Sequence, residues 1–237
     1  MLVEGRRNRY MEIVGQFFRR ETSLEWQQTV VLVHGLWFPK HFLYPLARRL
    51  HHQGLTVRYF SYPSVRADLC VNAGRLAHFL DERHTNTLHL VGHSLGGILI
   101  RALFHFYPNQ KPGRIVTIGT PHGGCQVATR LNHHAFWRRA MGRSVAQLLA
   151  GLPLDWPLPE REIGVISGSH SFGMGKVLYR RLPSPNDGLL TVEESGLPGA
   201  ADHITLPVSH TGMLFSPVVA RQTGAFLKTG HFDHGTA

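Results

Sequence analysis

The chain has 237 residues, 43% of them hydrophobic, and a formal net charge of +10 at pH 7. This length suits one large α/β domain with a substantial core, and no apolar run approaches the roughly 18 residues of a membrane-spanning helix. Residues 1–20 lack a continuous apolar stretch, so we expect no secretory signal. Two cysteines are too few for a disulfide framework, which favours a reducing, cytoplasmic compartment.

Arginine supplies most of the positive charge, in small clusters along the chain. These arginines are Arg6, Arg7, Arg9, Arg19, Arg20, Arg48, Arg49, Arg138, Arg139, Arg143, Arg180 and Arg181. A basic surface attracts anionic partners, and no nucleic-acid-binding motif accompanies this one. The clusters therefore indicate either a solvated surface without a specific partner or peripheral contact with an anionic membrane.

From residue 29 onwards, apolar runs alternate with amphipathic segments. Strands are predicted at 29–33, 56–61, 87–91, 114–118, 161–167 and 203–208, and helices at 41–53, 69–82, 97–107 and 216–229. This alternation predicts a mostly parallel sheet with helices on both faces. Ligands of such sheets bind beyond the carboxyl ends of the strands.

Two segments differ from the rest of the chain, in which residues 29–230 form the predicted α/β domain. Residues 1–28 are predicted as a basic N-terminal appendage with a helix that either packs on the core or touches a membrane interface. Residues 125–160 interrupt the alternation and carry an apolar stripe at helical spacing. The stripe consists of Met141, Val145, Leu148, Leu149 and Leu152. We interpret this insertion as a small helical cap, with an ordinary sheet-flanking helix as the alternative.

A serine occupies a tight turn in Gly92-His-Ser-Leu-Gly-Gly97, between a predicted strand and a predicted helix. Gly92 and Gly96 flank Ser94 at the G-x-S-x-G spacing, where a side chain would clash with the crossing backbone. The turn aims the serine hydroxyl and the next amide at a helix N-terminus, which stabilises negative charge. Ser94 is therefore the predicted nucleophile, and the Leu95 amide is a predicted oxyanion donor.

A serine nucleophile needs a base, and the base needs an acid that orients it. His210 follows the last predicted strand, which is where such a base is expected. Asp187, in an Asn-Asp-Gly turn, is the predicted acid. That sequence also suits a plain turn, in which case Glu193 or Glu194 is the alternative acid.

The loop after the first strand completes the predicted site. The Leu36 amide occupies the place of the second oxyanion donor. Substrate-pocket residues are predicted from this loop and the cap, with plain core packing as the alternative for each. They are Trp37, Phe38, Leu148, Leu149 and Leu152.

Together, these segments resemble the α/β-hydrolase superfamily, and within it the bacterial triacylglycerol-lipase and inositol-deacylase-like serine esterases. The matching segments are His34-Gly-Leu36, Gly92-His-Ser-Leu-Gly-Gly97, Gly119-Thr-Pro-His-Gly-Gly124, Pro185-Asn-Asp-Gly188 and His210. The resemblance covers about residues 29–225. It implies the α/β-hydrolase fold, a Ser94–Asp187–His210 triad, an ester or lipid substrate, and no required metal or cofactor.

The sequence thus predicts a serine hydrolase that cleaves carboxylic esters through an acyl-enzyme. An acyltransferase or thioesterase using the same triad is one alternative. A non-catalytic interaction protein of the same fold is another, and the three predicted catalytic residues argue against it. We expect a cytoplasmic enzyme acting on a soluble or membrane-inserted acyl ester.

Overall fold

A computed structural model describes residues 28–83, 85–151, 155–173 and 181–235. The strands are β1 (Thr29–Val33), β2 (Thr56–Phe60), β3 (Leu88–His93), β4 (Ile115–Ile118), β5 (Ile163–Gly168) and β6 (Asp202–Leu206). The helices are α1 (Tyr44–His52), α2 (Leu69–Asp81), α3 (Leu95–Phe106), α4 (Gln126–Asn132), α5 (Ala135–Leu149), α6 (Val192–Ser195) and α7 (Pro217–Thr229). The predicted helix within residues 1–28 lies outside the described residues, as does Leu152.

All six strands form one sheet in the order β2-β1-β3-β4-β5-β6, and every neighbouring pair is parallel. The predicted fold class is therefore confirmed. Strands β1, β3, β4 and β5 are buried along their whole length, because helices cover both faces of the sheet. Such strands appear in the sequence as continuous apolar runs rather than alternating ones.

Two hydrophobic cores flank the sheet. One lies among α2, α3 and the second half of α5, and its largest fully buried side chains include Leu69, Leu76, Leu80, Ile98 and Leu99. The other lies under α1 and α7, around Leu46, Leu50 and Phe226. From β1 the chain continues to β2 on one side, whereas from β3 it continues to β4 on the other side, so a crevice opens at the carboxyl ends of β1 and β3.

Helix α5 is broken at Gly142, which the predicted continuous stripe did not anticipate. Gly142 has a φ of 76°, and a side chain there would collide with the Val65 carbonyl. The same carbonyl accepts a hydrogen bond from the Arg143 amide at 3.0 Å. Since only glycine adopts this backbone without strain, α5 bends there and directs its two halves differently. Met141, Val145 and Leu148 are nevertheless all buried.

Within the described residues, no helix combines the length and apolarity that crossing a bilayer would demand.

Candidate active site

Ser94 lies in the turn between β3 and α3, with φ 54° and ψ −124°. Positive φ is uncommon for a residue other than glycine and is held only where the surroundings enforce it. The Ser94 amide donates to the Ile118 carbonyl at 2.9 Å, which ties the turn to β4. Ser94 is partly exposed although its neighbours on both sides are buried. The strained turn therefore presents the hydroxyl at the carboxyl edge of the sheet.

Glycine is required on both sides of this turn. A Cβ at Gly92 would lie 2.5 Å from the Gly97 nitrogen, and one at Gly96 would overlap the Val33 carbonyl of β1. Both obstacles are backbone atoms, which cannot rotate away. The close crossing of β1, β3 and α3 therefore depends on these two glycines.

The two predicted oxyanion donors belong to elements that meet beside Ser94. Leu95 is the first residue of α3, where amides lack an acceptor within the helix. Leu36 follows Gly35, whose ideal Cβ would lie 3.0 Å from the Ser94 Cβ. Leu36 and Leu95 line the same cavity as the serine. Their placement suits two amides converging on a developing oxyanion.

His34 anchors the loop that carries Leu36, a role that we did not predict. Its ring stacks on Tyr62 at 4.5 Å, and its Nδ1 lies 2.8 Å from the Gly35 carbonyl. The Tyr62 hydroxyl donates to the His34 carbonyl at 2.9 Å. Burial lowers the pKa of His34 below its ordinary value, although the hydrogen bond with Gly35 acts in the opposite direction and raises that pKa. The only sequence signal for this role was a His-Gly pair directly after a buried strand.

His210 and Asp187 form a buried pair. The His210 Nδ1 lies 2.7 Å from one Asp187 carboxylate oxygen. The other oxygen accepts hydrogen bonds from the Leu189 and Leu190 amides at 2.8 and 2.7 Å. Burial alone would raise the pKa of the Asp187 carboxyl, but the charge and hydrogen bond of His210, with the two amides, hold it below its ordinary value. An ionised Asp187 keeps the proton on Nδ1 and leaves Nε2 as an acceptor.

The alternative acids have other surroundings. The Glu194 carboxylate is an acceptor for the Thr191 amide at 2.8 Å and for the Gln126 amide at 2.5 Å. It therefore closes the first turn of α6 and holds the start of α4. Glu193 is exposed. Asp187 is the candidate acid that contacts His210.

A mostly apolar cavity of about 170 Å³ opens onto Ser94 and His210. Its walls come from the loop after β1, from α4 and α5, and from the loop before α6. The lining includes Trp37, Phe38, Cys125, Val127, Ala128, Leu131, Met141, Val145, Leu148, Phe172 and Leu190. The predicted pocket residues Trp37, Phe38 and Leu148 thus lie in it.

Leu149 does not line this cavity, so its predicted place in the pocket is wrong. It packs against the core beside α2 and α3 instead. Successive helical residues are turned by about 100° around the axis. Leu148 therefore faces the cavity while its neighbour does not.

Comparison with known proteins agrees with this architecture. A model described as the alpha/beta hydrolase family matches residues 30–228. The chain belongs to that family. No curated protein sequence matches it.

Solved structures resemble this alpha/beta hydrolase at low sequence identity. The mature lipase BlEst2 of Bacillus licheniformis superposes with a TM-score of 0.70 at 21% identity, over 85% of this chain and 91% of that chain. Carboxylesterase CesB of Bacillus subtilis superposes with a TM-score of 0.56 at 14% identity, over 86% of this chain and 84% of that chain. The RedJ thioesterase of Streptomyces coelicolor superposes with a TM-score of 0.56 at 17% identity, over 85% of this chain and 89% of that chain. These likenesses show the shared fold.

The buried pair leads to a prediction about the acid. Asp187→Asn keeps the shape but removes the charge that fixes the His210 tautomer, so labelling of Ser94 by a fluorophosphonate probe should slow by roughly 10⁴-fold. The matched control is Glu194→Gln, which changes a nearby buried carboxylate that has no contact with His210. Its labelling rate per folded molecule should equal that of the parent. Normal labelling of Asp187→Asn with loss in Glu194→Gln would reverse the assignment.

Proposed function

We propose that this alpha/beta hydrolase cleaves carboxylic esters through Ser94, His210 and Asp187, with a covalent acyl-enzyme. The supporting observation is the 2.7 Å contact between His210 Nδ1 and Asp187, because His210 also lines the apolar cavity onto which the strained Ser94 turn opens. An imidazole oriented by a buried carboxylate can accept a serine proton at neutral pH. The apolar walls suit the acyl part of an ester.

The proposed reaction follows from these positions. His210 Nε2 takes the Ser94 proton as the serine oxygen attacks the ester carbonyl. The Leu36 and Leu95 amides donate to the resulting oxyanion, and in a well-studied protease the loss of one oxyanion donor costs about 3 kcal/mol of transition-state stabilisation. The imidazolium then protonates the leaving alcohol, and Asp187 stabilises its charge. Water attacks the acyl-enzyme by the same route in reverse.

Removal of the nucleophile tests this proposal. Ser94→Ala should abolish fluorophosphonate labelling and lower ester turnover by roughly 10⁶-fold, and His210→Ala should fall to a similar rate because the two groups act as a unit. The double variant should be no slower than either single one. Circular dichroism checks that each variant folds. Normal turnover by a folded Ser94→Ala protein would contradict the proposal.

Product analysis separates hydrolysis from the two related reactions. Incubation of an acyl ester with the enzyme and a competing alcohol gives free acid if water is the acceptor and a new ester if the alcohol is preferred. Parallel rates with oxygen esters and thioesters show which acyl donor the site uses. We expect free acid from an oxygen ester.

The cavity volume sets an expected acyl length. An apolar cavity of about 150 Å³ in another protein holds benzene, which has about six carbons, and the cavity at Ser94 measures about 170 Å³. Each methylene that enters such a site contributes at most about 0.8 kcal/mol. Each carbon added to a straight acyl chain should therefore strengthen its binding in the cavity until about six carbons are accommodated.

For p-nitrophenyl esters, kcat/KM should rise from two acyl carbons to about six and then level off. Ala128 lines the cavity from α4, so Ala128→Phe should fill the space and remove this gain while the acetate rate changes little. The matched control is Ala146→Phe, at an exposed position of α5 outside the cavity. It should keep the parent profile. A flat profile in the parent enzyme would contradict an acyl-binding role for the cavity.

We further propose that the mouth of this cavity contacts an anionic membrane surface. Trp37 and Phe172 line the cavity and remain 45% and 71% exposed, and Phe136 is 73% exposed. Phe136 contacts Trp137 at 5.3 Å between ring centroids, and Trp137 contacts Trp37 at 6.3 Å. We call these four residues the aromatic rim. Aromatic side chains are favoured at membrane interfaces, where one end is apolar and the other hydrated.

The charge around the aromatic rim supports the same surface. Residues 34–55 and 121–151 supply three of the four rim aromatics and contain three and four Lys or Arg, with no Asp or Glu. Arg138, Arg139 and Arg143 are all exposed on α5. Anionic lipid therefore complements this side of the molecule. Cys70 and Cys125 are both unpaired, which suits the cytoplasmic leaflet of a membrane.

Binding to phosphatidylglycerol–phosphatidylcholine vesicles should exceed binding to phosphatidylcholine alone and should weaken with salt. Arg138→Ser/Arg139→Ser should cost about 2 kcal/mol, or about 30-fold in vesicle affinity, at about 1 kcal/mol per basic residue. Phe136→Ser should also weaken binding. The matched controls are Arg58→Ser/Arg75→Ser, on β2 and α2, and Phe106→Ser, at the opposite end of the sheet. Two results would contradict the proposed surface. One is an equal loss of vesicle affinity in the variants and their controls, and the other is equal binding of the parent protein to anionic and neutral vesicles.

A further inference from the structure

His93 is a buried histidine that contacts both loops flanking Ser94. It is the last residue of β3 and is 1% exposed. On one side its ring meets Phe38 edge-on, at 6.3 Å between centroids. On the other it lies 4.9 Å from the His210 ring. A single imidazole therefore spans the space between two loops: residues 34–39 after β1, which we call the oxyanion loop, and residues 207–211 after β6, which we call the base loop.

The hydrogen bonding of His93 determines which ring nitrogen carries the proton. Its Nε2 lies 3.1 Å from the His210 carbonyl oxygen. A carbonyl only accepts, so Nε2 is the donor. Burial, with the nearby His210, lowers the pKa of His93 to about 3 despite the hydrogen bond to His210. The ring is therefore neutral at physiological pH, with a bare Nδ1.

The base is held by its main chain as well as by its ring. The His210 amide donates to the Asp187 carbonyl at 2.8 Å, and the His210 ring contacts the Asp187 carboxylate. Both of these attachments belong to the acid's own loop. The hydrogen bond from His93 to the His210 carbonyl comes instead from the strand that carries the nucleophile. It is thus a direct link between the base loop and the residue next to Ser94.

The opposite edge of His93 faces the oxyanion loop. An ideal Cβ on Gly35 would lie 3.3 Å from the His93 Nδ1, so the imidazole packs directly against the residue that precedes Leu36. Nδ1 is buried and has no hydrogen-bond partner among the residues that the structure describes. Its contact with this loop is therefore one of packing, whereas its contact with the base loop is a hydrogen bond.

We infer that His93 is a positioning residue that sets the placement of His210 relative to Ser94 and the oxyanion loop. This inference rests on the proposed function, because placement matters only if His210 acts on Ser94. A hydrogen bond to the main chain restricts where the imidazole stands, while the contact with Asp187 restricts how it rotates. A displacement of about 1 Å at a reacting group costs up to about 100-fold in rate.

The experiment compares two substitutions that differ in one hydrogen-bond donor. His93→Leu fills the site without a donor, whereas the amide nitrogen of His93→Gln reaches the position of Nε2. On p-nitrophenyl esters we expect His93→Leu to lower kcat by about 10- to 100-fold with an unchanged KM, because His93 does not line the cavity. His93→Gln should recover most of that loss. Titration with a fluorophosphonate gives the active fraction, to which each kcat is referred.

A spectroscopic signal separates positioning from general damage. The low-field proton resonance of His210 Nδ1 should persist in His93→Leu, because the Asp187 contact does not depend on His93. Parent kcat in His93→Leu, or equal losses in the Leu and Gln variants, would overturn the inference. If His93→Leu does not fold, His93→Asn replaces it, since its shorter amide does not reach the His210 carbonyl. Failure of both to fold beside a stable Gln variant would show a structural role instead.

Failure of this inference is distinguishable from failure of the proposed function. If Ser94→Ala retains ester turnover, the proposed mechanism is wrong whatever His93 does. If Ser94→Ala is inactive and His93→Leu matches the parent, the mechanism stands and His93 has no positioning role.

Discussion

The lack of space around Ser94 constrains the rest of the site. Strand β1, strand β3 and helix α3 cross there so closely that a Cβ at Gly92 or Gly96 would overlap backbone atoms. Backbone cannot rotate away as a side chain can, so the turn has one conformation, with Ser94 at positive φ. The oxyanion loop, the cavity and the base loop are all built around this point. The nucleophilic role proposed for Ser94 requires that its proposed partners be fixed as well.

Hydrogen bonds to main-chain groups supply that second requirement. Asp187 is held by the amides of Leu189 and Leu190, and His210 is held at its amide, its carbonyl and its ring. Buried hydrogen bonds are strengthened by the low local dielectric. Burial also favours the neutral form of the nearby histidines, so that His34 and His93 serve as supports without adding charge. The ionised carboxylate can then act mainly on His210.

The parts of the site that are local in sequence were predictable. Buried parallel strands appear as continuous apolar runs, and the six predicted strands all occur in the sheet, with ends that shift by a few residues. The glycine spacing around Ser94 describes a turn that closes within six residues. Asp187 was only one of three predicted acids, because its contact with His210 joins positions 23 residues apart. Chain order could rank the candidate carboxylates, and only folding could bring one of them into contact with His210.

By itself, the sequence determined the parallel sheet, the serine turn and the positions of the loops at its carboxyl edge, since periodicity and glycine spacing report local geometry. The tertiary structure decided which side chains meet. It turned Leu148 towards the cavity and Leu149 away, broke α5 at Gly142, and placed His93 between two loops. It also joined Trp37 to the Ala140 carbonyl across 103 residues, with a hydrogen bond of 2.9 Å. Such contacts depend on how elements pack in space, which a hydrophobic pattern does not encode.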